Sequence, residues 1–149
     1  MGAIARLLIL MMGKFLFIGL LMFASPVYAA DIDVVITGLK NNHGQVLVSL
    51  YDHAKAFPAD TTKAFNTIIV PIKKQAAQAK FKAIPKGIYA IAVVHDENGN
   101  GKLDTNFFGI PKEGVGVSNH ARGHMGPPSF QDASFTLKEA EKQAIQIHY

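Results

Sequence analysis

The chain is 149 residues long and holds no cysteine, which excludes a disulfide scaffold and leaves packing, or an ion, to hold the fold. Fifteen lysines and arginines face eleven acids; without Arg6 and Lys14, in the leading segment, thirteen bases remain and the net charge falls from +4 to about +2. With lysines scattered and Arg122 the one arginine after residue 29, there is no footprint for nucleic acid.

Residues 1–29 read as an export signal. Arg6 and Lys14 precede the apolar run Phe15 to Phe23, and Val27-Tyr28-Ala29 places small residues where a signal peptidase cuts. A retained anchor is the competing reading of Leu7 to Ala24, but Lys14 interrupts that run and Pro26 follows it. The expected product is a single domain, residues 30–149, periplasmic or secreted, with no membrane span after cleavage.

Strand signals dominate the rest. Ile32, Val34 and Ile36 alternate before Gly38, and Val46 to Tyr51 follows the turn-like Asn41 to Gly44, so these two segments read as a hairpin. Tyr51 to Phe65 reads as a connection with one helical turn, and Thr67 to Ile72 as an edge strand ended by Pro71. Lys80-Phe81-Lys82 marks a half-exposed strand. Ile88 to Val94, apolar on both alternating faces, marks a central strand covered on each side. Ala133 to Leu137 and Ala144 to His148 complete about seven strands with almost no helix. The expected fold is all-β, a single antiparallel β-sandwich with a small β-barrel as runner-up.

Between Asp96 and Phe130 lies a connection far longer than compact domains use unless it carries function. It holds seven glycines and three prolines, yet also Leu103, Phe107, Phe108, Ile110, Val115, Val117 and Met125, more apolar material than a solvated linker keeps. The expectation is an ordered loop with Phe107, Phe108 and Ile110 held against the sheet.

Its first half carries a metal-ligand spacing. Asp96, Asn98, Asn100, Lys102 and Asp104 occupy positions 1, 3, 5, 7 and 9 of an EF-hand-like loop, with Gly101 at position 6 and Leu103 pointing inward at position 8. Ca²⁺ takes about six to eight oxygens, so alternate side chains plus the Lys102 carbonyl wrap much of its sphere. Phe107 stands where the bidentate glutamate belongs, so a further acid is required, with Glu113 and Asp132 the candidates. Two tandem Asn-Gly turns are the plainer account of the same residues, though a turn gives no reason for acids at both positions 1 and 9. Two other chemistries are weaker: hydrolysis by Asp96, Glu97, Asp104 and Glu113 with His95, and copper or zinc held by His95, His120 and His124 beside Met125. Ser118-Asn119-His120 lacks a nucleophile elbow, and His95, on the side of Tyr89, Ile91 and Val93, also fits a hydrogen-bonded structural histidine.

The segments "VLVSLYDHAKAFP", "IPKGIYAIAVVHDENGNGKLDTNFFGIPKEGVGVSN" and "GPPSFQDASFTL" closely resemble a bacterial family of exported proteins known as domain of unknown function 2141, over Ile32 to Tyr149. The resemblance implies one extracytoplasmic domain, a β-sandwich akin to transthyretin-like or carboxypeptidase-regulatory-like modules, with no activity to carry over. Its signature segment falls on His95 to Asn119. On these grounds the chain is expected to be a binding or structural module for a protein or glycan partner.

Overall fold

A computed structural model of the chain describes residues 29–149; the export-signal reading falls almost wholly on residues 1–28, outside the described residues. Eight strands form: β1 (Ala29–Thr37), β2 (Gln45–Tyr51), β3 (Asn66–Val70), β4 (Ala77–Pro85), β5 (Gly87–Asp96), β6 (Gly114–Val117), β7 (Phe135–Leu137) and β8 (Glu141–Gln146). Among the described residues helix is confined to short pieces: 3₁₀ turns at Thr61–Lys63 and Ser118–His120, and α1 (Phe130–Ala133).

The strands make two sheets, one ordered β4-β1-β8 and the other β3-β2-β5-β6, with β7 pairing β5 on its own stretch. Neither closes into a barrel. In β1, Ile32, Val34 and Ile36 point inward at 1% exposure or less, while Asp31 and Asp33 face solvent and meet Lys80. On β4 the period of two is interrupted where Ala83 takes a φ of 52° and donates its N–H to Asp31 Oδ1, so Ile84, rather than Ala83, follows Ala77, Ala79 and Phe81 into the core. These side chains and the inward residues of β2 and β5 form one hydrophobic cluster shared by both sheets. The other face of β5 is covered too: Ala92 packs with Tyr51, Ala56, Phe57, Val117 and Phe130. The central, doubly covered strand is therefore where its apolar run placed it.

Four expectations are corrected. β1 and β2 are not a hairpin: β1 pairs β4 and β8, β2 pairs β3 and β5, and residues 38–44 carry the chain from one sheet to the other. Leu39, 2% exposed, is buried in the core, which a solvated hairpin turn would not allow. Pairing is not wholly antiparallel, since β8 runs parallel to β1 from Ile32↔Glu141 to Thr37↔Gln146. The stretch after Asp96 is not one loop: β6 returns along β5, with Gly114 opposite His95, so the true connection is residues 97–113. Strand length hid this, because Gly-Val-Gly-Val is a poor β signal unless its neighbours supply the burial. Finally, Phe107, Phe108 and Ile110 are not held against the sheet but are 96%, 82% and 58% exposed.

Candidate metal site and its supporting loop

β5 delivers His95 and Asp96 to the end of the molecule where β2 begins. Gln45 lies opposite Asp96 in the ladder, and its side-chain amide donates to Asp96 Oδ2 at 2.8 Å. Two loop N–H groups close on the same carboxylate, Asn100 to Oδ1 at 3.0 Å and Gly101 to Oδ2 at 2.8 Å. Gly101 reaches this position with a φ of +79°, as expected at position 6. Asp96 is fully buried. Burial by itself opposes ionisation, but the bonds from Gln45, Gly101, Asn100 and Gly99 outweigh it and hold the carboxyl below its ordinary pKa.

The remaining candidate ligands converge on Asp104. Its Oδ2 accepts from Asn98 Nδ2 at 2.6 Å and from Asn100 Nδ2 at 2.9 Å. The amide oxygens of the same asparagines accept from main chain: Asn98 Oδ1 from the N–H of Asn100, and Asn100 Oδ1 from that of Lys102, both at 3.0 Å. Glu113, 6% exposed, folds under the loop and accepts from the N–H groups of Glu97 at 3.2 Å and Asp104 at 3.0 Å. The Lys112 N–H donates to the Asp104 carbonyl at 2.9 Å. Five of the six predicted ligand positions are thus tied to one another or to one frame of main chain, and Lys102 lies between them through its N–H. A shallow depression opens over Glu97, Asn98, Asp104, Thr105, Lys112 and Glu113. Asp132, the other candidate acid, instead accepts the Ser129 hydroxyl at 2.6 Å at the start of α1.

The rival sites do not assemble. Among the described residues no three His, Asp or Glu side chains form a metal-holding group: His95, His120 and His124 are not brought together, and Asp96, Asp104 and Glu113 do not by themselves make one either. His95 is buried with both ring nitrogens engaged, with the His43 carbonyl at 2.9 Å and the Tyr149 hydroxyl at 2.5 Å. A carbonyl only accepts, so Nε2 donates to His43, while Nδ1 is bonded to the Tyr149 hydroxyl, whose oxygen also accepts the Lys40 main-chain N–H at 3.0 Å. This is a structural histidine, joining β5 to residues 38–44 and to the last residue of the chain. Acid catalysis fares no better. Glu97 is held below its usual range by the Lys40 ammonium at 2.7 Å and the Asn41 amide at 3.1 Å. Asp96 shifts the same way, so neither of these two carboxyls is set up as a general acid. Ser118 is buried with its hydroxyl between Ile91 N–H, from which it accepts at 2.9 Å, and the Ala133 carbonyl, to which it donates at 2.6 Å. Sequence reasoning missed Gln45, Lys40, Asn41 and Tyr149, because Gln45 reaches the site through strand pairing and the others through the 38–44 crossing and the segment after β8, none of which spacing shows.

Fold and loop together define a mostly β, two-sheet domain with an acidic, hydrogen-bonded loop at the end of its central strand. Residues 34–146 match the family described as an uncharacterized protein conserved in bacteria (DUF2141), and the chain belongs to that family. No curated protein and no solved structure matches it. Among the described residues no helix is long and apolar enough to cross a membrane.

Proposed function

We propose that this is an exported, non-catalytic binding module, a β-sandwich whose working element is the 97–113 loop, with Ca²⁺ taken at Asp96, Asn98, Asn100, Lys102 and Asp104 and Glu113 supplying the further acid. The observation that carries this reading is the convergence of two asparagine amides on Asp104 Oδ2. An amide's NH₂ and oxygen are nearly the same size, so a half-turn of each group about Cβ–Cγ presents two oxygens beside that carboxylate in place of two donors, while giving up the bonds those oxygens accept from the Asn100 and Lys102 N–H groups, which the ion must outweigh. The cation then takes the role the amide hydrogens fill without it, neutralising Asp104. In this reading Asp96 and Glu113 keep their main-chain bonds and offer the ion the lone pairs those bonds leave free. The two sheets, sharing one core, serve as the sandwich layers that hold this loop in place.

Calcium titration with thermal unfolding tests the ion. At about 10 mM Ca²⁺, well above the roughly 0.1–1 mM dissociation constants of weak extracellular sites, the melting temperature rises by several degrees, and Mg²⁺, which demands tighter octahedral geometry, does much less. Asp104→Ala, which removes one carboxylate ligand without touching the bonds to Asp96, folds and loses the calcium response. No rise at that concentration in the unmodified protein sinks the ion.

A further inference from the structure

The exposed tip of the loop is ordered. Asn106 donates its N–H to the Ile110 carbonyl at 2.8 Å, and its side-chain oxygen accepts from the N–H groups of Phe108 at 2.9 Å and Ile110 at 3.0 Å. Thr105 and Pro111 pair as a β-bridge below it. The Phe107 and Phe108 rings meet edge-on, centroids 5.5 Å apart, yet both remain almost wholly in water with Ile110 beside them. A hydrogen-bonded turn that keeps its three large apolar side chains out of the core presents them to something else.

Its shape and charge select the partner. The tip is a hydrogen-bonded turn whose three large apolar side chains stand in solvent, a form that a fluid bilayer accepts without a matching pocket. Lys102 and Lys112 flank it, both exposed. The turn after β3 brings exposed Lys73 and Lys74 to the same end: Val70 pairs with Val46, which lies opposite His95, and the Gln75 N–H donates to Asn42 Oδ1 at 2.8 Å. The acids at this end are turned to internal partners: Asp96 and Glu113 are buried under loop N–H groups, Glu97 pairs with Lys40, and Asp104 takes two amides. We propose that this end of the molecule is a docking surface for an anionic phospholipid bilayer, with Phe107, Phe108 and Ile110 entering the headgroup region and the lysines meeting the phosphates. The proposal rests on reading the loop as the working element, and deepens it by naming the partner.

The test is co-sedimentation of residues 30–149, which contain every buried core residue of the described structure, with vesicles of phosphatidylcholine alone or mixed with phosphatidylglycerol. The protein partitions onto the anionic vesicles, and each of Lys102→Gln and Lys112→Gln weakens this by about fivefold, less at high salt. The double variant Phe107→Ser/Phe108→Ser loses binding by at least about tenfold while melting as before, since both rings are exposed. Ile88→Ser, at the opposite end of β5, binds unchanged. Absence of binding, equal binding to neutral vesicles, or a tip variant that binds like the parent overturns the proposal; so does a dimer abolished by the tip variant without vesicle binding, which assigns the tip to a second copy. A calcium-induced rise in melting temperature on the same protein, without vesicle binding, rejects the membrane and leaves the ion standing.

Discussion

Asp96 is a buried carboxylate whose cost of desolvation is met by three donors from outside its own strand position, Gln45, Asn100 and Gly101. Asp96→Ala strands those donors, so urea unfolding should show a loss of about 2–3 kcal/mol. Its pH dependence follows from the direction of its shift. The folded carboxyl releases its proton more readily than the unfolded one, at 3.8, so its contribution is complete above about pH 4 and drains away as the pH falls through the lower folded value. Asp96→Asn should flatten that acid limb in unfolding measured from pH 6 down to 2. Beside it, Gly44 has a φ of +68°, and a Cβ there would sit 2.0 Å from the Asp96 carbonyl oxygen. Gly44→Ala is expected to lower stability by about 2–3 kcal/mol in the same assay, because the crossing between sheets must shift. Neither requirement was legible locally: the spacing marks Asp96 as a candidate ligand, but not as a buried carboxylate held by Gln45 across the ladder.

At the scale of elements, burial separates strands that look alike in composition. Phe81 on β4 is 1% exposed between the sheets, and Phe81→Ala should cost about 3–5 kcal/mol. Ile69, 54% exposed on the edge strand β3, should cost less than about 0.5 kcal/mol on the same change, read from denaturant midpoints at constant slope. The alternation of Ile32, Val34 and Ile36 and the unbroken apolar run of β5 showed which faces are inward before any pairing was known. The failures occurred where an element depends on neighbours rather than on its own pattern. Gly114–Val117 becomes a strand only because β5 lies alongside, and the supposed β1/β2 hairpin dissolves because Leu39 pulls the connecting segment inward.

For the whole molecule, Tyr149 closes the site. The Tyr149 hydroxyl bonds His95 beneath it, its ring lies 4.7 Å from the Lys40 ammonium, and Lys40 in turn holds Glu97. Tyr149→Phe should lower stability by about 1–2 kcal/mol and speed amide hydrogen exchange at both ends of this chain of contacts, at residues 38–44 and 97–104, rather than at the tail alone. The spacing from Asp96 to Asp104, the glycine at the sharp turn and the two-face burial of β5 were written in local order, since a side-chain period and a turn conformation belong to consecutive residues. The partners of those residues were not. Gln45 and Tyr149 lie 51 and 54 residues from the groups they meet, and only the crossing between sheets and the parallel seat of β8 bring them together. The outward turn of Phe107 and Phe108 was likewise settled in three dimensions: apolar composition predicts burial, but the hydrogen bonds around Asn106 direct both rings to solvent.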